Sequence, residues 1–267
     1  MAYLTVNADD FGMTGGVTRG ILTAMAGGIV TSAAAMTCVE DSEKNIRTYK
    51  NITSGVIGLH LQLTDGRPVL PPEEIPSLVD DTGNFFPSAR SLPWDINPAE
   101  VYLEWSAQVL RLQTWGIFPR YLDSHHHVHL TGRLLPVIAR LGNELHLPVR
   151  SGPPGTSKKL RYFGVSTPDV TIIDFFGEHL NREKLEQALA AALKAFGHDA
   201  VIELSCHPGL SCHKLEKMSR YNRQREIELQ ILTAGETIEN ITNLGLNLIG
   251  MNEVSHYRPA DLKKHSS

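Results

Sequence analysis

Three short stretches concentrate side chains able to hold a metal or move a proton. NADDFG sets Asp9 beside Asp10, DSHHHVH places Asp123 before His125, His126, His127 and His129, and ELSCHPG carries Glu203, Cys206 and His207. His60 stands alone in the apolar run GLHLQL. Neutral imidazoles together with a carboxylate make a mixed nitrogen and oxygen site for a divalent metal. Two adjacent carboxylates repel, and one is driven towards its neutral form unless a cation lies beside them. A metal resolves that conflict: one carboxylate ligates and its neighbour stays ionised as a base. Spacing does not say which does which. The competing reading makes Asp9-Asp10 a helix cap, although Thr14 is better placed to cap. His60 on its own reads equally as a hydrogen-bonded core residue, and His126 fits that role better than ligation. If the strand continues through the histidines, alternation puts His125, His127 and His129 on one face and His126 on the other.

His207 precedes Pro-Gly, so it sits on a turn where it can serve as a general acid. The same stretch offers a rival zinc cluster of Cys206, His207, Cys212 and His213, with spacing unlike a common zinc finger. No GxGxxG, GxxxxGK[ST] or GxSxG motif is present.

These residues need elements that bring them together. Short apolar or β-branched runs at 3–8, 29–37, 56–61, 120–124, 147–150, 170–174, 200–205 and 246–250 suit buried parallel strands. Helical spacing falls between them at 14–27, 98–115, 132–144, 181–196 and 219–243. Alternation of this kind predicts an α/β chain folded as a TIM-like barrel of seven or eight strands, with a doubly wound sheet as the alternative. Asp9 and Asp10 follow the first run and His60 ends the third. Asp123 and His125 end the fourth, Arg150 the fifth, Asp174 the sixth, and Glu203 and His207 flank the end of the seventh. In a barrel those ends form one rim, where residues far apart in sequence meet. His127, His129 and Asp174 are the candidates on that rim for contact with a substrate.

The proline-rich stretch 62–97 breaks the rhythm and reads as a cover over the barrel mouth or as a surface insertion. Residues 151–169 form a second irregular stretch, and the polar tail from Arg258 is expected to fray. Nothing divides the chain, so residues 1–267 read as one domain.

Composition narrows the function. The 267 residues are 42% hydrophobic and 20% charged, ordinary for a globular protein. A net charge of −4 gives no footprint for nucleic acid. Three cysteines without a CxxC argue for a reducing compartment. The opening residues lack a leader pattern and no long apolar run occurs, so a cytoplasmic protein without a membrane span is expected.

VNADDFG, GLHLQLTDG, LDSHHHVH and ELSCHPG occur in an order that resembles the YdjC-like carbohydrate deacetylases, over nearly the whole chain. The resemblance implies a TIM-like barrel, often a homodimer, with one divalent metal ion (Mg or Zn foremost) on Asp10, His60 and His125. It implies Asp9 as the base, His207 as the acid and Arg150 as the residue orienting the base. The substrate implied is a small acetylated amino sugar or short oligosaccharide, with the N-acetyl group removed by hydrolysis. Hydrolysis of another amide or an ester, and carbohydrate binding without catalysis, are the competing readings. Trp94, Trp105, Trp115, Phe85 and Phe86 are the aromatic residues from which a sugar-stacking surface would be drawn.

Overall fold

A computed structural model of the chain describes residues 1–53 and 55–258. The order is β1 (Ala2–Phe11), α1 (Gly15–Gly27), β2 (Ser32–Ala35), α2 (Ser42–Arg47), α3 (Lys50–Thr53), β3 (Ile57–Leu61), α4 (Pro98–Thr114), β4 (Leu122–Ser124) and α5 (Leu135–Leu145). It continues with α6 (Thr156–Tyr162), β5 (Val170–Ile172), α7 (Arg182–Phe196), β6 (Val201–Cys206), α8 (His213–Met218), α9 (Arg223–Thr233), α10 (Gly235–Asn243), β7 (Leu246–Leu248) and α11 (Val254–Tyr257).

Every strand pairing is parallel, in the order β4-β3-β2-β1-β6-β5, with β7 on the first residues of β1. The sheet curls into a half-barrel, consistent with a TIM-like fold. The expected strand at 147–150 reduces to a single bridge between Leu122 and Val149. Its backbone still lies between β4 and β5: Arg150 N donates to Leu122 O at 2.9 Å and Thr171 N to Gly152 O at 3.3 Å. The expected helix at 219–243 breaks at Ala234, whose extended backbone (φ −69°, ψ 135°) separates α9 from α10. The stretches around 42–53 and 151–169, which carry no strong apolar period, hold α2, α3 and α6. Arg258 is tied to Asp169 at 2.8 Å; the rest of the expected fraying tail lies outside the described residues.

Alternation along the strands separates two environments. Leu4, Val6 and Ala8 of β1 and Ile202, Leu204 and Cys206 of β6 join the large apolar core. The intervening residues, Tyr3, Thr5, Asn7 and Asp9 on β1 and Val201, Glu203 and Ser205 on β6, face the concave side. At the start of the strands that side is apolar, closed by Tyr121, Val201, Ile249, Met251 and Val254. Towards the strand ends it becomes polar, and the ionisable residues begin there.

Two close approaches set the geometry. A Cβ on Gly58 would meet the Tyr121 ring at 2.3 Å, so β3 lets that ring fill the barrel floor. A Cβ on Gly20 would meet Gly209 Cα at 2.4 Å, so α1 presses directly on the turn after His207. Leu210 N donates to Gly16 O at 3.1 Å across the same contact.

Candidate active site

Asp9 and Asp10 reach the same pocket because β1 is irregular there. Its register against β2 shifts between Ala8 and Phe11, and Asp10 has φ 68°. A bulge adds a residue and re-aims side chains. The two acids therefore need no strand end, since pairing resumes at Phe11 with Ala35.

Each acid has its own arginine. Arg150 Nη1 and Nη2 donate to the two oxygens of Asp9, both at 2.7 Å, and Ser205 Oγ adds a third bond at 3.1 Å. The same buried guanidinium reaches Glu203 at 2.8 Å and Asp123 at 3.1 Å. Burial pushes the Asp9 carboxyl up, but Arg150, together with His60 and His207, outweighs it and holds Asp9 well below the usual carboxylate range. Asp10 takes Arg225, whose Nη2 donates to its Oδ2 at 2.6 Å. Its other oxygen, Oδ1, is buried and receives no hydrogen bond of good geometry; its close polar neighbours are imidazole nitrogens.

That oxygen faces two imidazoles. His125 Nδ1 lies 3.2 Å away and His60 Nε2 3.6 Å away. His60 Nδ1 is bonded to Asp123 at 2.8 Å, which fixes the ring so that Nε2 points to Asp10. His125 sits between Asp10 and Asp65; burial alone would lower its pKa, yet the two carboxylates push it up to about 9. An imidazole held so basic between acids occupies a place that suits a cation.

Among the described residues, three groups of side chains bring donor atoms within 4.8 Å of one another: Asp10, His60 and His125; Asp65, His125 and His126; and Asp9, His60 and Asp123. The third is already neutralised by Arg150. The second draws on the half-exposed Asp65 and the exposed His126, whose Nδ1 is bonded to Thr64 Oγ1 at 3.0 Å. Only the first is buried at every member and contains an unpartnered carboxylate oxygen. Its donor chemistry, one carboxylate and two imidazoles, fits a divalent metal.

A cavity of about 260 Å³ opens at this point, walled by Asp9, Asp10, His60, His125, His127 and His207 among others. His207 Nε2 is 3.8 Å from Asp9 Oδ2. Its backbone N donates to Glu228, which also accepts from the Tyr221 hydroxyl. Burial pushes His207 down to about 4 against the pull of Asp9 and Asp10, so the imidazole is neutral at neutral pH. Burial also raises Glu228, to about 8. The aromatic wall is Phe176, stacked on Tyr221 with ring centroids 4.0 Å apart and edge-on to His207.

Other expected residues lie elsewhere. His126 and His127 have left-handed backbones (φ 53° and 51°), so strand alternation ends at His125. His127 still lines the cavity, but His129 is fully buried behind it, bonded to Ser124 Oγ at 2.5 Å and facing Arg150 O at 3.3 Å. Asp174 is exposed and off the cavity wall, which takes its neighbours Ile173 and Phe176. No cysteine joins a metal-capable group among the described residues: Cys206 turns its thiol to Asn7 O and Cys212 to Thr14. Trp105, Trp115 and Phe85 are buried in the core, while Trp94 lies under Arg133 on the surface, away from the cavity. Of the 62–97 loop, Asp65 reaches this cavity; much of the remainder is anchored, with Glu104 accepting from Val69 and Leu70 at 2.9 and 3.0 Å.

The chain is similar to known proteins over most of its length. The family described as YdjC-like protein matches residues 3–242. A carbohydrate deacetylase of Geobacillus stearothermophilus is 34% identical over 251 residues, covering 94% of this chain and 97% of its own. One from Vibrio cholerae is 34% identical, covering 87% of this chain and 88% of its own. A crystal structure from Enterococcus faecalis, provisionally described as a cellobiose-phosphate cleavage protein, superposes with a TM-score of 0.87. It is 34% identical and covers 95% of this chain and 98% of its own.

Proposed function

This chain belongs to the YdjC-like family, and on that premise we propose that it is a metal-dependent carbohydrate N-deacetylase, hydrolysing the N-acetyl group of an amino sugar or short oligosaccharide. The observation that carries the reading is the unpartnered, buried Asp10 Oδ1 between His60 Nε2 and His125 Nδ1. Asp10, His60 and His125 would hold one divalent ion, Mg or Zn foremost. Such an ion supplies Lewis acidity to the acetamide carbonyl and to water.

The protein's own groups divide the remaining work. Asp9 is the base. Arg150 keeps it ionised at neutral pH and fixes both of its oxygens, so it cannot drift into the ligand group. A carboxylate held this low is a weak base, and it accepts a proton only from water that has been acidified nearby. His207 is neutral at rest. It acts as the acid after taking a proton from Asp9, 3.8 Å away, and then delivers that proton to the departing amine. Glu228 and Tyr221 hold the His207 turn in place. Phe176 and Tyr221 offer an aromatic face for a sugar ring, and His127 a polar edge.

The test is acetate release from N-acetylglucosamine and its short β-linked oligomers by metal-loaded protein. Acetate formed in step with free amine supports the reading. No acetate from any of them would turn it towards another amide or ester.

A further inference from the structure

His60 has a carboxylate on its far nitrogen, Asp123 at 2.8 Å, within the barrel. His125 also has one, but it comes from outside the barrel: Asp65 Oδ2 lies 3.3 Å from His125 Nε2. Asp65 is the first acidic residue of the loop that follows β3, and its side chain is 46% exposed. An exposed carboxylate would ordinarily be free to swing. This one is held from both sides. Its backbone is left-handed (φ 55°), its N–H donates to Phe86 O at 3.0 Å, and its carbonyl accepts from Gln62 Nε2 at 3.1 Å. The next residue, Gly66, lies so close to Cys38 that a Cβ would stand 2.1 Å from its carbonyl oxygen. The backbone of the loop is thus pinned beside the site, with the carboxylate against His125 Nε2 at 3.3 Å and His126 Nε2 at 3.9 Å.

We propose that Asp65 is a positioning residue for the metal ligand His125. By accepting from Nε2–H it fixes the tautomer and the ring plane, and so presents the Nδ1 lone pair beside Asp10 Oδ1. Carboxylates in this position raise ligand basicity, and their loss costs about 10- to 100-fold in metal affinity. The inference rests on the metal part of the proposed function and adds a residue that needs to touch neither metal nor substrate.

The experiment is zinc titration of metal-stripped protein by calorimetry, together with the melting temperature of each metal-free form. Wild type should bind one ion per chain. Asp65→Ala should bind one ion about 10- to 100-fold more weakly. Its left-handed backbone strains Ala, so its metal-free melting temperature should fall slightly, whereas Asp65→Gly, which keeps that backbone and loses the carboxylate, should show the same weakening with its melting temperature near wild type. Asp65→Asn retains an acceptor for Nε2–H and should fall between wild type and Asp65→Ala. Zinc affinity in Asp65→Ala within twofold of wild type overturns the proposal. So does a weakening in Asp65→Gly matched by a drop in its metal-free stability, which would make Asp65 a loop anchor only. Two ions per wild-type chain, with one lost in Asp65→Ala, would make Asp65 a ligand and equally overturn it. If Asp65→Ala does not fold, wild-type affinity in Asp65→Asn overturns it. Absence of any zinc binding in wild type would instead sink the metal reading itself.

Discussion

Asp9 and Asp10 are adjacent in sequence, yet Asp9 is clamped by Arg150 through two 2.7 Å bonds while Asp10 receives Arg225 on one oxygen only, at 2.6 Å. The difference gives them different chemistry. Asp9 has both oxygens satisfied in the direction of the barrel. Asp10 keeps one oxygen free, aimed at His60 and His125.

Arg150 lies under the site as the shared counterion of Asp9, Asp123 and Glu203, and is fully buried. Removing one partner of a buried ionic group leaves uncompensated charge, at a cost of about 3–5 kcal/mol. Arg150→Ala should therefore lose stability by roughly that amount in urea denaturation of the metal-free protein. Wild-type stability would mean that the carboxylates neutralise one another by protonation.

The depressed pKa of His207 predicts acid sensitivity. Its folded value is about 4, against an ordinary 6.5. Below 6.5 the unfolded chain takes up a proton that the folded chain refuses. The stabilisation is complete above pH 6.5 and drains away as the pH falls towards 4. At pH 5 the loss approaches about 2 kcal/mol, an upper bound because the side chain is 16% exposed. Metal-free His207→Asn should lose less stability than wild type between pH 7 and pH 5; an equal loss would contradict the buried, neutral imidazole.

Gly58 faces the Tyr121 ring, whose hydroxyl donates to Asn7 at 2.5 Å and so cannot easily retreat. Gly58→Ala should cost about 1–3 kcal/mol through overpacking. Thermal melting would measure it, and an unchanged midpoint would show that the floor yields.

Phe176 projects 52% of its surface beside His207. If a sugar ring lies on it, Phe176→Ala should raise KM for an N-acetylglucosamine disaccharide about tenfold, with a smaller effect on kcat. An effect confined to kcat would place Phe176 in support of His207 instead.

Strand-end logic made much of the site readable from sequence. His60, His125 and His207 sit at or beyond the ends of strands, while Asp9 and Asp10 reach the same cavity from a bulge within β1. The logic failed at His129, because two successive left-handed residues end the alternation it relied on. It also passed over Arg225, Tyr221, Glu228 and Phe176, which come from α9 and from loops rather than from strands. One signal was available. Arg225 and Glu228 share the buried stripe of α9 with Leu229 and Leu232, and charged residues on an apolar stripe need buried partners. Asp65 gave no such sign, because only the pinned loop makes it face inwards.

The division of labour between the neighbouring acids is tested most directly by metal content, measured by elemental analysis on purified Asp9→Asn and Asp10→Asn proteins alongside acetate release. Asp9→Asn is predicted to keep one divalent ion per chain while turnover falls by about 10²- to 10⁴-fold. Asp10→Asn is predicted to lose the ion. Loss of metal from Asp9→Asn with retention in Asp10→Asn would reverse the two roles, and full activity in Asp9→Asn would contradict the account.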